Sequence, residues 1–412
     1  PGKKVFVAGA LTDERVRYLR RASRRKFDEA ELLEVIEPSP ERIEARCAAF
    51  GRCGGCALQH VTTQQQRRIK SQVLADSLQR IGGVEPGRWL DAIVGPDWNY
   101  RRRARLAVKD VHAKGRILVG FRERHAPYVT DMHRCEVLAV PIDGMLDPLA
   151  ELIGGLSVRA RLPQIEVALA DNATALVFRV LERPSADDVQ RLRDFGTRHG
   201  IRIHLQPGGP DSVELLWPDP PIEPLYYGLA DFDLRMEFEP AGFVQVNGAV
   251  NRRLVAAAVE LLDPQPADRV LDLYCGIGNF SLPLARRCAT VLGVEGDEKL
   301  VAGARHNAAR NAIEAASFRC ADLGAVDGRE EWLAGGWDRV LLDPARNGAA
   351  EVVAAMGRLG PQRIVYVSCH PGTLARDAGT LVHGGGYRLA AAGIVDMFPH
   401  TAHVEAIAVF DK

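Results

Sequence analysis

The chain is short of several things that would define it at once. It has no net charge, since 53 Lys and Arg balance 53 Asp and Glu, so no global field draws it to nucleic acid. It has no apolar run approaching the ~18 residues that would cross a bilayer. Its start shows no secretory pattern, and because residue 1 is Pro the natural N-terminus is expected to lie upstream. Eight Cys in 412 residues are too few for a disulfide scaffold. The expected compartment is the reducing cytoplasm, where clustered Cys suggest a metal or catalysis. Internal repeats and low-complexity tracts are also missing.

What is present is local. Nine Lys and Arg lie between Lys3 and Lys26, against Asp13 and Glu14, whereas Asp28 to Glu44 holds seven acids and only Arg42. The basic half reads equally well as a solvated face and as a phosphate-binding surface. Residues 1–45 hold short strand-like runs at Val5–Val7, Val16–Leu19 and Ala30–Ile36 and read as a small β module. Residues 46–240 read as a central, β-rich domain, with strand patterns at Ala104–Lys109, Ile117–Phe121, Ile165–Leu169, Ala175–Leu181, Ile201–Leu205 and Val213–Trp217 and one helix at Ala186–His199. Within it, 61–81 is a polar helix, and the 60–94 segment is a candidate to pack on the third domain. From 241 to 412 strands and helices alternate, which predicts an α/β fold with a doubly wound parallel sheet.

Two groups of residues carry chemistry in that sheet. Asp268–Tyr274 is a strand, and Cys275-Gly276-Ile277-Gly278-Asn279-Phe280 opens a helix. Gly276 and Gly278 let backbone approach a ligand at a helix N-terminus. The third glycine of a dinucleotide fingerprint is replaced by Ser281, which argues against a pyrophosphate ligand. Later strands end at Glu295, placed for ribose hydroxyls, at Asp322, placed for an adenine amino group, and at Asp343. One acid alone is more often a helix cap; a series in register reads as an S-adenosylmethionine (SAM) methyltransferase. The last strand of the series, Arg363–Ser368, ends at Cys369, before Pro371 and Gly372. A thiol at the carboxyl end of a strand sits at the rim where open α/β sheets bind ligands, and a thiolate is a strong nucleophile. Thirty-six residues on, Pro399–Glu405 supplies a candidate base, Glu405.

Two further groups lie upstream. Cys47, Cys53 and Cys56 fall within ten residues, among Gly51, Gly54 and Gly55, and Cys135 is the candidate fourth thiol. Four thiolates suit tetrahedral zinc or a cubane iron–sulfur cluster, and spacing does not separate the two. Cys275, Cys288 and Cys320 read as core residues. Tyr100, Arg101, Arg102, Arg103 and Arg105 read as an RNA-facing run, with guanidiniums for phosphates and an aromatic for stacking.

These motifs, with Phe243-Val244-Gln245-Val246-Asn247, Leu342-Asp343-Pro344-Ala345-Arg346 and Val367-Ser368-Cys369-His370-Pro371, resemble those of the bacterial RNA 5-methyluridine methyltransferases over essentially the whole chain. Within them the chain looks most like the iron–sulfur RlmD-type (RumA-type) branch. The resemblance implies a Rossmann-like SAM-dependent catalytic domain, a central domain with a 4Fe–4S site, and an N-terminal module similar to a TRAM (OB-type) RNA-binding β-barrel, incomplete at its start. By position it implies SAM contacts from Gln245, Tyr274, Asn279, Glu295, Asp322 and Asp343, Cys369 as nucleophile and Glu405 as general base. The family usually has Phe where Tyr274 stands and often Asn where Asp322 stands. His370, His400 and His403 are expected to shape the site around a flipped base.

The implied chemistry is methylation of uridine C5 after thiolate addition to C6. The implied partner is RNA, foremost 23S rRNA at the position called 1939, with another rRNA uridine or the tRNA T-loop as alternatives. The tRNA branch typically lacks the Cys cluster and the TRAM-like module, which points away from tRNA. A monomer without membrane or obligate protein partner is expected. Two other classes compete: a radical or redox enzyme, which usually needs a Cys-x3-Cys-x2-Cys run, and a non-catalytic, metal-containing RNA-binding protein.

Overall fold

The computed structural model describes residues 3–412. Three strands, β1 (Lys4–Ala8), β2 (Arg15–Ser23) and β3 (Phe27–Glu37), form an N-terminal sheet in the order β1-β3-β2. The basic β2 lies antiparallel to the acidic β3, so the opposed charge runs neutralise each other across the ladder. Arg15 meets Glu37 at 2.8 Å, Arg17 meets Glu34 at 2.6 Å, and Arg21 meets Glu31. Such exposed pairs add little stability each, but they remove most of the positive field the basic run suggests. The three strands make an open sheet, with Phe6, Leu33 and Ile36 exposed.

Next come α1 (Thr63–Ser77) and the short β4 (Arg88–Trp89). Thr62 caps α1 by accepting from the Gln65 N–H. The central sheet contains β5 (Arg103–Val111), β6 (Arg116–Gly120), β7 (Gln164–Leu169), β8 (Thr174–Arg179), β9 (Ile201–Gln206) and β10 (Glu214–Trp217), in the order β10-β9-β8-β7-β5-β6. It packs against α2 (Leu146–Gly154) and α3 (Ala186–His199) through Leu106, Ile165, Phe178, Leu149 and Leu192, all fully buried. The Ser185–Asp188 capping box fixes the start of α3.

A hairpin, β11 (Leu225–Leu229) and β12 (Leu234–Phe238), falls within the 46–240 span that the sequence assigns to the central domain. Its Leu229, Leu234 and Met236 pack into the core of the catalytic domain, whereas Leu225 and Phe238 pack on Ala168 and Ala175 of the central sheet, so the hairpin bridges the two. The third domain continues with α4 (Gly248–Leu262), β13 (Arg269–Leu273), α5 (Ser281–Ala285), β14 (Thr290–Glu295), α6 (Glu298–Arg310), β15 (Ala316–Cys320), β16 (Arg339–Leu342), α7 (Ala350–Leu359), β17 (Arg363–Ser368), α8 (Pro371–His383), β18 (Arg388–Val395) and β19 (Glu405–Asp411). Its sheet order is β15-β14-β13-β16-β17-β19-β18-β4, parallel from β15 to β17, with β19 antiparallel. Leu271, Leu342 and Tyr366 face one core, and Val270, Leu341 and Val365 face the other. That continuous apolar run is what a strand covered on both faces requires.

α1 packs on α8 and β18, and β4 adds to the sheet beside β18. The 61–94 segment is therefore part of the catalytic body. Among the described residues no helix is long and apolar enough to cross a membrane.

Candidate active site

Strand order reverses between β13 and β16, which opens a crevice beyond their carboxyl ends. The turn after β13 is built for close approach of a ligand. Tyr274, Gly276 and Gly278 have φ of +65°, +54° and +91°, and a Cβ placed on Gly276 would meet nothing within 4 Å. The Gly276 N–H donates to Glu295 at 3.1 Å, and the other Glu295 oxygen accepts from the Gly296 N–H at 2.7 Å. Glu295 at the end of β14 is thus aimed by backbone. Asp322 accepts from the Gly324 N–H at 2.8 Å, and Gln245 is half-buried in the loop before α4.

Asn279 is more committed than its motif position suggests. It exchanges hydrogen bonds with Asn251 at 3.0 Å in both directions and accepts from the Tyr227 hydroxyl at 2.9 Å. These bonds tie the glycine turn to α4 and β11. Asp272 has a site position that the strand reading leaves without a role. It is fully buried, accepts from the Ser281 hydroxyl at 2.5 Å, and keeps its second oxygen without a partner. Burial pushes the Asp272 carboxyl up to about 7, with Asp343 and Glu295 nearby adding to the shift. Burial likewise pushes Asp343 up to about 7.

Cys369 follows β17 directly. Because β19 runs antiparallel to β17 with Ser368 opposite Ala406, one further step of the ladder brings Cys369 beside Glu405. The base candidate thus reaches the nucleophile's end of the sheet by reversing direction. Cys369 is half-buried and Glu405 is 8% exposed. Burial, then the neighbouring Asp343, push Glu405 up to about 8. Burial raises Cys369 as well, with Glu405 and Asp343 adding to the effect and Arg346 opposing it. Arg346, which its motif position alone does not mark, donates to His403 Nδ1 at 3.1 Å.

The other two histidines have structural work. His370 caps α8, accepting from the Thr373 N–H at 3.2 Å. His400 is 2% exposed, stacks on Trp98 with ring centroids 3.7 Å apart, and bonds Gln66 through Nδ1 at 3.1 Å. It is locked in the interior and does not face an incoming base.

Cys47, Cys53, Cys56 and Cys135 all line one small cavity, as free thiols. Burial raises Cys53, Cys56 to about 11 and Cys135 to about 12. Among the described residues no three His, Cys, Asp or Glu side chains converge closely enough to share a single ion. The donor set is four thiols, the kind that either a zinc ion or an iron–sulfur cluster takes. Of the three remaining cysteines, Cys275 and Cys288 are buried, but Cys320 is exposed, because it ends the edge strand β15.

The arginine run differs most from its sequence reading. Tyr100 is 4% exposed, and its hydroxyl donates to the Pro399 carbonyl at 3.0 Å, so it cannot stack on a base. Arg102 pairs with Asp171, and Arg103 is largely buried against Pro240 and Glu166. Arg105 binds Glu166 at 2.9 Å yet stays exposed. Arg101 lines the thiol cavity, with its guanidinium 5.7 Å from the Phe121 ring and 6.0 Å from that of Phe398. Charge and β-pattern alone did not reveal that the partners of these arginines lie elsewhere in the chain.

The model of the tRNA (Uracil-5-)-methyltransferase family matches residues 226–325 and 335–412. A protein of Alkalilimnicola ehrlichii named 23S rRNA (uracil(1939)-C(5))-methyltransferase RlmD is 51% identical, across 100% of this chain and 92% of its own length. The protein of the same name from Methylococcus capsulatus is 47% identical, across 100% and 93%. Among solved structures, the Pyrococcus abyssi tRNA (uracil-54, C5)-methyltransferase in complex with S-adenosyl-L-homocysteine is 25% identical with a TM-score of 0.75. The alignment covers 99% of this chain and 96% of that one. A tRNA enzyme therefore shares the whole layout, and module content does not by itself separate rRNA from tRNA targets.

Proposed function

The chain belongs to the RlmD-type branch of the RNA (uracil-5-)-methyltransferase family, and on that premise we propose that it methylates uridine C5 in 23S rRNA, at the position called 1939, with SAM as methyl donor. The observation that carries this reading is the β17–β19 register, which sets Cys369 beside Glu405 at the rim where the β13 glycine turn opens. Uracil C5 is a poor nucleophile. Addition of the Cys369 thiolate to C6 gives the ring carbanion character at C5, which then displaces the methyl group from the sulfonium. Glu405 next removes the C5 proton, and the thiolate leaves. Arg346 favours the thiolate, and Glu405, whose pKa burial raises, must first give up its own proton before it can take the one from C5. Glu295, Asp322, Asp343, Gln245, Tyr274 and the turn at Gly276 and Gly278 hold the methyl donor. Asn279 braces that turn, and Asp272 with Ser281 supports it from beneath.

The rRNA target rests on relatives about half identical over their full lengths, against a quarter for the tRNA enzyme. The target nucleotide must leave its stack to reach Cys369. Cys47, Cys53, Cys56 and Cys135 hold a 4Fe–4S cluster. When bound, its iron–thiolate bonds would staple residues 47–56 to Cys135. Iron and acid-labile sulfide in anaerobically purified protein, both lost in Cys135→Ser, are the expected result; stoichiometric zinc instead would contradict the cluster. For the main reading, 5-methyluridine is mapped in rRNA and tRNA of a deletion strain with and without the gene. Loss of the rRNA mark and its return on complementation are expected. Intact rRNA with unmodified tRNA would refute the target.

A further inference from the structure

The loop Asp396–His403, which joins β18 to β19 and leads directly to Glu405, is held largely by groups outside the sheet. Two residues of α1 make the firmest grips. Lys70, 1% exposed, donates to the Phe398 carbonyl at 2.9 Å and to Asp396 at 2.7 Å. Gln66, also 1% exposed, accepts from the His400 N–H at 2.8 Å while its amide nitrogen meets His400 Nδ1 at 3.1 Å. The same amide donates to the Leu58 carbonyl at 2.9 Å, and the Ala57 and Leu58 N–H groups donate to the His400 carbonyl at 2.8 and 2.9 Å. His400 itself sits at φ +66°. A left-handed conformation at a residue other than glycine persists only where its surroundings dictate it.

The geometry points to Gln66 and Lys70 as positioning residues for the release step: they fix the left-handed turn at His400 and so the register in which Glu405 meets the methylated ring. The clamp rests on the reading of Glu405 as the base. A buried ammonium and a buried amide are costly to keep in an apolar body, and here the ammonium bonds only this loop while the amide ties it to the Leu58 and Val61 carbonyls.

The step affected is specific. Addition of Cys369 and methyl transfer to C5 precede the action of Glu405, so a loosened loop leaves a methylated ring bonded to sulfur. Gln66→Leu tests one arm of the clamp. Lys70→Met combined with Asp396→Leu tests the other, removing that pair's two charges together, while Arg67, which also meets Asp396 at 3.1 Å, keeps its pair with Asp97 at 2.5 Å. Each is compared with wild type and Glu405→Gln in single turnover, with methyl-labelled SAM and 23S rRNA lacking the modification. Circular dichroism and SAM affinity serve as controls for folding. Release is expected to slow about ten- to hundredfold, with methyl label accumulating in a covalent protein–RNA complex. Wild-type release in both variants overturns the proposal, as does slow turnover without that labelled complex. If Glu405→Gln itself accumulates no complex, the base assignment fails, whatever the clamp variants do.

Discussion

Glu405 is the residue on which stability and activity should pull apart most clearly. Its carboxyl stands at about 8, against 4.5 for an unburied Glu, because burial and the nearby Asp343 disfavour its charge. The folded state therefore holds this proton more tightly than the unfolded chain does. It follows that the fold loses stability as pH rises from about 4.5 to about 8, by roughly 1.4 kcal/mol per unit. At pH 7 the accumulated cost is about 3 kcal/mol, and below pH 4.5 it vanishes. Glu405→Gln keeps the shape and removes the titration. Urea unfolding midpoints across pH 5 to 8 should show the variant gaining on wild type with pH, while product release is lost. A stability difference that stays flat over that range, or shrinks as pH rises, would refute the account of Glu405 as a carboxyl held neutral by its surroundings.

The same carboxyl must be ionised to act as a base, so the rate of adduct resolution, followed by rapid quench, should rise about tenfold per pH unit from 6 toward 8. A rate independent of pH would assign the proton to another group. Gly293→Ala would place a Cβ 2.6 Å from the Phe318 ring and 2.9 Å from Cys275 Sγ. Overpacking of this kind costs about 1–3 kcal/mol, and it pushes on the glycine turn, so calorimetric titration should show weaker SAM binding as well as a lower melting temperature.

Much of the catalytic domain is legible because its strands declare themselves. β13, β14, β16 and β17 are apolar runs that end in a polar residue at one rim, so fold and site are written in the same places. Cys369 and Glu405 lie far apart in sequence, yet each marks a strand end, and an antiparallel last strand is all that their meeting requires. Tyr100 and Arg103 are less legible, for the opposite reason: they are buried among partners that the local pattern does not show. Charge reads as surface until its partners are known, and Glu166, Asp171 and Pro240 are distant in sequence. Lys70 and Gln66 gave no signal either, since a polar helix looks solvated in sequence while its function lies in two buried side chains. The β11–β12 hairpin packs on both cores, and a strand pattern does not say which core receives each apolar residue.

The most direct test of the central claim is mass spectrometry of the protein after reaction with SAM and RNA carrying 5-fluorouridine, whose C5 fluorine cannot be removed as a proton. A methylated 5-fluorouridine bonded to the peptide that contains Cys369, and its absence in Cys369→Ala, is the predicted result. An adduct on another residue, or 5-methyluridine formation that survives Cys369→Ala on ordinary RNA, would contradict it.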